Sequence, residues 1–377
     1  MPTVKKMLYV AALAGLSLGF ACSEATTAFS QDAAAAVAAA KKATMEALSS
    51  PSEWKGPTTG PKPIAGKRVA IIPCGLITEG CNRPARAATE AAKTAGWVPT
   101  VLDGQADTGK QLAAINAAVD GKYDAIVMIL IDPIQVNEGV QRAIAANIPV
   151  VTLGQPLYTD ARKALSQIPD ISHDWLKTGE LIGDYMIAKS DGKVDALLLN
   201  NPETTVVQYG QFAGTKGKLS DPKTCPDCKV TVEDFTIAQI NSQPAQLAAA
   251  AVQRDPKINW VWCYDFCLAN VSNDLIARGL QGDVMGAGFD CNAQNLALIK
   301  DDKVQRVCIA DPRDWEAWAT IDTANRLMQG QPFVDQKIPV RLFDKSNLAD
   351  LTAEDLKEGW QGGLDYKSNY KKMWGVN

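Results

Sequence analysis

From Lys67 onward, continuous apolar runs rich in β-branched residues alternate with segments of helical periodicity. A strand whose apolar run is uninterrupted is usually buried on both faces, and a helix is the common connection between parallel strands. The pattern therefore predicts a parallel sheet covered by helices. The first series has predicted strands at 68–72, 97–102, 124–131 and 148–153, and predicted helices at 83–95, 109–120 and 135–146.

The same alternation resumes after an irregular stretch around 155–172. Two such series separated by one irregular stretch predict an α/β fold with two doubly wound, Rossmann-like parallel-sheet lobes. A second break at 311–312 precedes a long predicted helix at 314–329. The second series has predicted strands at 194–199, 229–235, 258–263, 284–289, 304–310 and 337–343, and predicted helices at 175–189, 203–218, 242–253, 268–279 and 292–300.

Length and charge narrow the function classes. The 377 residues exceed what one ordinary core accommodates, which agrees with two lobes. The formal net charge of −4 gives no basic surface of the kind that binds nucleic acid or anionic lipid. We therefore expect no nucleic-acid partner.

The first thirty residues are typical of a secretory signal peptide. Two lysines precede an apolar run that ends at Ala21, and small residues follow, so we predict a signal over 1–30 with cleavage after Ser30. Lipid attachment at Cys22 is the less favoured alternative, because Phe20 stands where a small residue is expected. No later apolar run reaches the ~20 residues needed to span a bilayer. The mature protein is therefore expected to be soluble and periplasmic, with an alanine-rich helical extension and a Pro/Gly linker at 31–65.

Eight cysteines remain after Cys22, an even number in an oxidising compartment, and this favours a set of disulfides. A zinc site is disfavoured because CPDC at 225–228 has no second pair at finger spacing and His173 is the one histidine. We predict no metal and no cofactor. Sequence leaves the connectivity open, and we favour pairing of neighbours: Cys74–Cys81, Cys225–Cys228, Cys263–Cys267 and Cys291–Cys308.

Open parallel sheets bind ligands beyond the carboxyl ends of their strands, where the loops gather. One such end carries the segment NWVWCYDFCLAN at 259–270, in which aromatic and acidic residues lie between two cysteines. The residues that directly follow the predicted strands are 78–80, Asp132, Gly154, Gln155, Tyr264, Asp265, Asp290 and Asp311.

Several segments resemble, in order and spacing, the type I periplasmic binding proteins related to ribose-binding protein, the sugar-binding components of ABC importers. They are GKYDAIVMILIDP, IPVVTL, HDWLKTGELIGDYMIAK, the segment ending at NDLIARGL, and VMGAGFDCN. The resemblance covers about 66–345 and implies two lobes joined by a three-segment hinge. It places the N-terminal lobe at 66–172 plus 312–337 and the C-terminal lobe at 173–311 plus 338–377. It also implies that a small polar, carbohydrate-like ligand is captured by hinge closure and handed to a membrane permease, with the binding protein expected to be a monomer.

The family's ligand positions are only partly matched. Its strand equivalent to IPVV is usually followed by an aspartate and an arginine that clamp sugar hydroxyls, whereas Gly154 and Gln155 stand here. Asp290, in GFD, matches a family carboxylate that accepts hydrogen bonds from hydroxyls. Tyr264 and Asp311 stand where the family often has asparagine and glutamine.

Other departures predict an acidic cleft. A second family arginine falls near Val206, with Gln208 as the closest polar residue, and Glu79 lies in the first loop, where the family has aromatics. Carboxylates without paired cations are costly to bury, so Glu79 and Asp311 would favour a cationic or aromatic nitrogen ligand as an alternative to a sugar. Aromatic side chains could present π faces to such a ligand, and of these Trp315 joins the predicted site with Tyr264.

Each candidate also has a structural interpretation. Asp132, Asp265 and Asp290 could cap the helices that follow them, and a salt bridge across the cleft would account for Glu79 and Asp311. An enzyme is disfavoured because a nucleophilic triad would have only His173 as its base. A ligand-sensing partner of a chemoreceptor or sensor kinase remains an open alternative to transport.

Overall fold

The computed structural model describes residues 19–156 and 160–376, and it contains two separate β-sheets. The first sheet has the order β2-β1-β3-β4-β5, with every pair parallel. Its central strands are fully buried because both faces are covered by helices. The strands are β1 (Arg68–Pro73), β2 (Val98–Val101), β3 (Ala125–Ile129), β4 (Val150–Leu153) and β5 (Asp170–Ile171).

The second sheet has the order β11-β10-β9-β8-β6-β7 and is parallel except at β11, which pairs antiparallel with β10. The predicted α/β class with two parallel-dominated sheets is confirmed. The strands are β6 (Asp195–Asn200), β7 (Lys229–Asp234), β8 (Trp260–Trp262), β9 (Met285–Phe289), β10 (Gln305–Ala310) and β11 (Arg341–Asp344).

Helices connect the parallel strands and cover both sheets. Asp107 and Asp174 begin two of them by accepting hydrogen bonds from backbone N–H groups of the first turn. The helix predicted at 203–218 contains a π-helical turn at Val207–Gln211, which leads directly into α7. The α-helices are α1 (Gly19–Leu48), α2 (Glu79–Thr94), α3 (Thr108–Asp120), α4 (Asn137–Ala145), α5 (Asp160–Lys163), α6 (Trp175–Lys189), α7 (Phe212–Ser220), α8 (Gln243–Arg254), α9 (Asp265–Ala277), α10 (Ala293–Asp301), α11 (Arg313–Met328), α12 (Ala353–Glu358) and α13 (Tyr366–Trp374).

Each sheet has its own hydrophobic core, and we call the two units the first and the second lobe. The first lobe includes α11, whose Trp318 packs with the residues of β1 and β3. The family resemblance places 338–377 in the second lobe, and β11 does pair with the second sheet. Residues 366–374, however, pack in the first core, because Tyr370 and Trp374 contact Trp318.

The N-terminal extension and its linker pack against both lobes. Ala40 of α1 is buried in the second core, and Trp54 of the linker lies against the first. Residues 1–18 of the predicted signal peptide lie outside the described residues, and α1 begins at Gly19. None of the helices in the described ranges has the length and apolar character that crossing a membrane requires.

The structure joins the eight cysteines in the neighbour pairing that the sequence favours, with Cα–Cα distances of 5.3–6.0 Å. Three of the four bonds tie loops at the carboxyl ends of strands. Cys74 directly follows β1, Cys263 directly follows β8, and Cys291 comes two residues after β9. These bonds therefore constrain the edge of each sheet where ligands are expected.

Candidate functional site

Arg313 brings together two of the predicted site residues. Its Nε lies 2.6 Å from Oδ2 of Asp311, and its Nη2 lies 3.5 Å from Oδ1 of Asp290. Asp311 directly follows β10 and Asp290 directly follows β9, so two neighbouring strands of the second lobe deliver the carboxylates to one guanidinium. The Arg313 side chain is 13% exposed, which leaves the pair partly desolvated.

Arg313 also contacts both lobes. Its guanidinium lies 5.1 Å from the centroid of the Trp175 ring, at the start of α6 in the second lobe. A Cβ atom added to Gly154, after β4 in the first lobe, would be 3.7 Å from Nη1 of Arg313. Arg313 therefore lies at the junction between the strand ends of the two sheets.

This position corrects the prediction of an acidic cleft without a cation. The sequence has no arginine at the two positions where the resembling family supplies one, but Arg313, in the first turn of α11, reaches Gly154 at the end of β4 and Asp290 at the end of β9. Glu79, which contributed to the predicted acidity, is exposed and pairs with Arg86 at 3.1 Å. The site is thus a mixture of donors and acceptors.

A cluster of buried polar side chains contacts Arg313. Glu316, one turn along α11, is fully buried, and its Oε2 lies 3.7 Å from Nη1 of Arg313. Nδ1 of His173 lies 3.0 Å from Oε1 of Glu316 and 3.8 Å from Oδ2 of Asp311. Burial by itself would lower the pKa of His173, but the hydrogen bond to Glu316 and the charges of Asp311 and Glu316 outweigh burial and raise it. A protonated His173 balances part of the negative charge.

His173, Asp311 and Glu316 could together offer three ligand atoms to a metal ion, since these atoms lie within 4.8 Å of one another. Both carboxylates are, however, already ion-paired with Arg313. A divalent cation would have to displace the guanidinium from a desolvated site. The cluster therefore fits a structural network around Arg313 better than a metal centre.

Gln155 and Asp170 connect the first lobe to this region. The backbone N–H of Gln155 donates to Oδ1 of Asp170 at 2.7 Å, and the hydroxyls of Thr152 and Ser172 donate to the same carboxylate. Burial raises the pKa of Asp170 to about 6, although all three hydrogen bonds favour its charged form. Asp170 therefore binds a proton more readily in the folded protein than in the unfolded chain.

We expect His173 and Asp170 to make the protein more stable at mildly acidic pH. Each has a folded-state pKa above its ordinary value, so protonation favours folding. The contribution of His173 is complete below pH ~6.5, its ordinary pKa, and is lost as the pH rises through the folded pKa. That of Asp170 is complete below pH ~4 and is lost as the pH approaches about 6. In urea denaturation, the midpoint concentration of the wild type should fall as the pH is raised from 6 to 8. The midpoint of His173→Gln should change less over the same range. An equal pH dependence of the midpoint in both proteins would contradict the assignment.

Tyr264 lies at the carboxyl end of β8 and is 9% exposed. Its ring stacks on Phe235, which directly follows β7, with centroids 6.2 Å apart and an interplanar angle of 22°. Asn200, the last residue of β6, donates hydrogen bonds to Gln208 and Asp234 at 2.8 Å each. The strand ends of the second lobe thus carry aromatic and amide groups that are almost completely buried. The side chain of Asp265 lies outside the described part of the chain, and its backbone begins α9.

Three predicted site residues make contacts within the first lobe. Trp315 is 1% exposed and stacks on Trp54 and Tyr366, with centroids 5.0 Å and 5.5 Å away, so its indole packs inside the first lobe. Asp132 accepts a hydrogen bond from the backbone N–H of Ile134 at 3.0 Å, a turn contact in the loop before α4, whose N-cap is Val136. Glu79 forms a surface pair at the start of α2, where solvent screens the interaction.

Residues 69–332 match the family model of the periplasmic binding protein domain. The chain belongs to this family. Two proteins called ribose import binding protein RbsB are similar to this chain over most of their length. The protein from Escherichia coli K12 is 26% identical over 295 residues, which cover 74% of this chain and 92% of that protein. The protein from Bacillus subtilis 168 is 23% identical over 288 residues, which cover 74% and 88%.

Solved structures of periplasmic binding proteins share the fold. An ABC transporter solute-binding protein from Agrobacterium vitis with bound allitol superposes with a TM-score of 0.65 at 18% identity, covering 76% of this chain and 97% of that chain. One from Actinobacillus succinogenes 130z with bound D-allose gives 0.65 at 18% identity, covering 76% and 100%. At these identities the likeness establishes the two-lobed architecture, and the chemistry of the site is argued from its own residues.

Arg313 is absent from the residues predicted from sequence, because it neither lies in the first residues after a strand nor matches a ligand position of the family. Arg313 follows β10 by three residues and precedes the start of the predicted helix at 314–329. The signal that could have found it is the spacing of Asp311, Arg313 and Glu316, which places a cation between two acidic residues where the chain leaves the second lobe.

Proposed function

We propose that this chain is the solute-binding component of an ABC importer and captures a neutral, polyhydroxylated ligand, a sugar or polyol, between its two lobes. The observation that carries the proposal is the Arg313–Asp290 pair at the strand ends, with Nη2 and Oδ1 3.5 Å apart. The names of the relatives, which include ribose, allitol and D-allose binding proteins, support the same ligand class.

The pair fits hydroxyl groups because a hydroxyl both donates and accepts hydrogen bonds. A guanidinium only donates and a carboxylate only accepts, so adjacent hydroxyls of one sugar can use Arg313 and Asp290 together. A cationic amine would meet the positive charge of Arg313 at the same place. The ring of Tyr264, held further along the second lobe by stacking on the buried Phe235, supplies an aromatic face for the carbon side of a sugar ring.

Capture would follow from contacts that exist only when the lobes are close. Gly154 and Gln155 end a strand of the first lobe, whereas Asp290 and Tyr264 end strands of the second. A ligand that touches both sets stabilises the closed conformation over the open one by the difference in binding free energy. The closed, liganded protein is the form that we propose a membrane permease recognises.

The remaining parts of the proposal follow from this role. We place the mature protein in the periplasm, which the family membership and the predicted signal peptide support, and we propose that it is a monomer with no catalytic function. Gln155, Tyr264, Asp265, Asp290 and Asp311 stay in the proposed ligand set with Arg313, and Asp132, Glu79 and Trp315 have the structural contacts described above.

A thermal-shift screen of the mature protein against neutral sugars and polyols, sugar acids and amines tests the ligand class. A neutral sugar or polyol should raise Tm, since a ligand at 100 times its Kd stabilises the folded state by about 2.7 kcal/mol. Asp290→Asn should abolish the shift, while Asp283→Asn, an exposed carboxylate before the opposite end of the same strand, should retain it. Stabilisation by amines alone would refute the proposal, as would an unchanged shift in Asp290→Asn.

A further inference from the structure

The chain passes between the two lobes more often than a three-segment hinge requires. Three passages are those that the family resemblance implies, at 172–174, at 311–312 and near 339, where Ile338 packs in the first core and Val340 in the second. Two further passages lie among the described residues, one in the N-terminal extension and one in the C-terminal tail. Both lie outside the segment that matches the family model, 69–332.

The first added passage runs from α1 to the linker at 51–65. On the second lobe, Lys41 pairs with Asp191 at 2.6 Å, and the carbonyl of Leu48 accepts hydrogen bonds from Arg341 and Asn347 at 2.9 Å. After residues 49–53, the linker is held on the first lobe. There Trp54 stacks on Trp315 with an interplanar angle of 7°, the carbonyl of Thr59 accepts from Arg326 at 2.6 Å, and that of Pro61 accepts from Asn325 at 2.7 Å.

The second added passage runs from β11 to α13. Trp360 packs edge-on to Phe343 at 5.8 Å and is buried with Cys291 and Cys308 of the second lobe. Only a few residues later, Tyr366 stacks on Trp315 in the first lobe. The chain therefore changes lobe at 361–363.

The two added passages contact each other, and the C-terminal one also contacts the passage at 311–312. A Cβ atom at Gly363 would be 3.2 Å from Oγ of Ser50, in the N-terminal passage. A Cβ atom at Gly362 would be 3.2 Å from Cβ of Pro312, in the passage at 311–312, and 2.6 Å from the ring of Trp315. The φ angle is +91° at Gly362 and +71° at Gly363, a backbone conformation that residues with a Cβ atom disfavour. The close approach and the backbone conformation together call for glycine at both positions.

We propose that the N-terminal extension and the C-terminal tail form an added layer of the hinge that restricts how far the lobes separate. Each passage is anchored at both ends by buried aromatic packing or hydrogen bonds, so rotation of the lobes must bend it or break an anchor. Trp315 is the common anchor, since Trp54 of one passage and Tyr366 of the other both stack on it. The layer therefore opposes separation of the lobes beyond the described arrangement, before any ligand binds.

The test measures the distance between the lobes in the ligand-free, full-length protein. Fluorophores would be attached through unnatural amino acids at Ile77 and Ile237, exposed residues that follow β1 and β7 on facing lobes. Single-molecule energy transfer should show a longer mean distance and a broader distribution in Trp54→Ala than in the wild type. Lys55→Ala, a neighbouring exposed side chain, should leave both unchanged.

A second arm covers the case in which Trp54→Ala fails to fold. A specific protease site inserted after Ser52 allows the folded protein to be cut in the N-terminal passage, which leaves every packing residue in place. Cutting should lengthen the mean distance in the same way. Unchanged distance distributions in the cut protein, or in a folded Trp54→Ala, would overturn the proposal. Because no ligand is added, either result is independent of which solute the cleft binds.

Discussion

Arg313→Ala is expected to lower the free energy of unfolding by about 3–5 kcal/mol and to abolish ligand binding. The substitution leaves Asp311 and Glu316 buried with only His173 as a cationic partner, and removing one member of a buried ion pair exposes the desolvation cost of the other. Urea denaturation at pH 7 measures the stability, and the thermal shift caused by a sugar that stabilises the wild type measures binding.

Arg278→Ala is the matched control. It removes an arginine of the second lobe that pairs with Asp274 at 2.6 Å, but its side chain is 49% exposed, so the loss should be about 0–1 kcal/mol. Arg313→Lys should keep part of the stability, because the charge remains, and should lose the ligand-induced shift, because a lysine lacks the planar fork of donors. An Arg313→Ala protein within about 1 kcal/mol of the wild type would contradict the buried-cluster assignment.

Trp315→Ala is expected to cost about 3–5 kcal/mol of stability by creating a cavity, and to leave ligand recognition in place. The indole is 1% exposed and is packed between the linker, the C-terminal tail and Gly362. Urea denaturation gives the loss of stability. If the variant remains folded at low temperature, calorimetric titration with the same sugar should still show binding.

Phe333→Ala provides the comparison, since this aromatic is 43% exposed and its loss should change stability by no more than about 0.5 kcal/mol. A Trp315→Ala protein of wild-type stability that no longer binds sugar would restore the residue to the ligand site. The two variants therefore separate packing from recognition at a position where the sequence allowed either role.

Strand placement was largely predictable, because each strand is specified by residues that are neighbours along the chain. The predicted runs at 68–72 and 194–199 appear as β1 and β6 with shifts of one residue. Three of the cysteine pairs are 3, 4 and 7 residues apart, so a short loop keeps their thiols close, whereas Cys291 and Cys308 are 17 residues apart and meet because β9 and β10 are neighbours. The wholly parallel first sheet likewise follows from the alternation of strand and helix.

The candidate site was less predictable, because its members meet only through the packing of distant segments. The places of Asp290 and Asp311 after strands are visible in the sequence, whereas the position of Arg313 near Gly154 depends on how the chain passes from β10 in the second lobe to α11 in the first. The sequence predicts Trp315 as a ligand contact, because spacing along α11 does not reveal that Trp54 of the linker and Tyr366 of the C-terminal tail pack on its ring.

The sequence by itself determined the two α/β lobes, the ends of their strands and the set of cysteines, since these depend on periodicity and short-range spacing. Tertiary structure alone decided the charge balance at the junction of the lobes and the packing of both chain ends across it. The physical reason is that electrostatic and packing energies depend on distances in space, and residues far apart along the chain set those distances when the cores form.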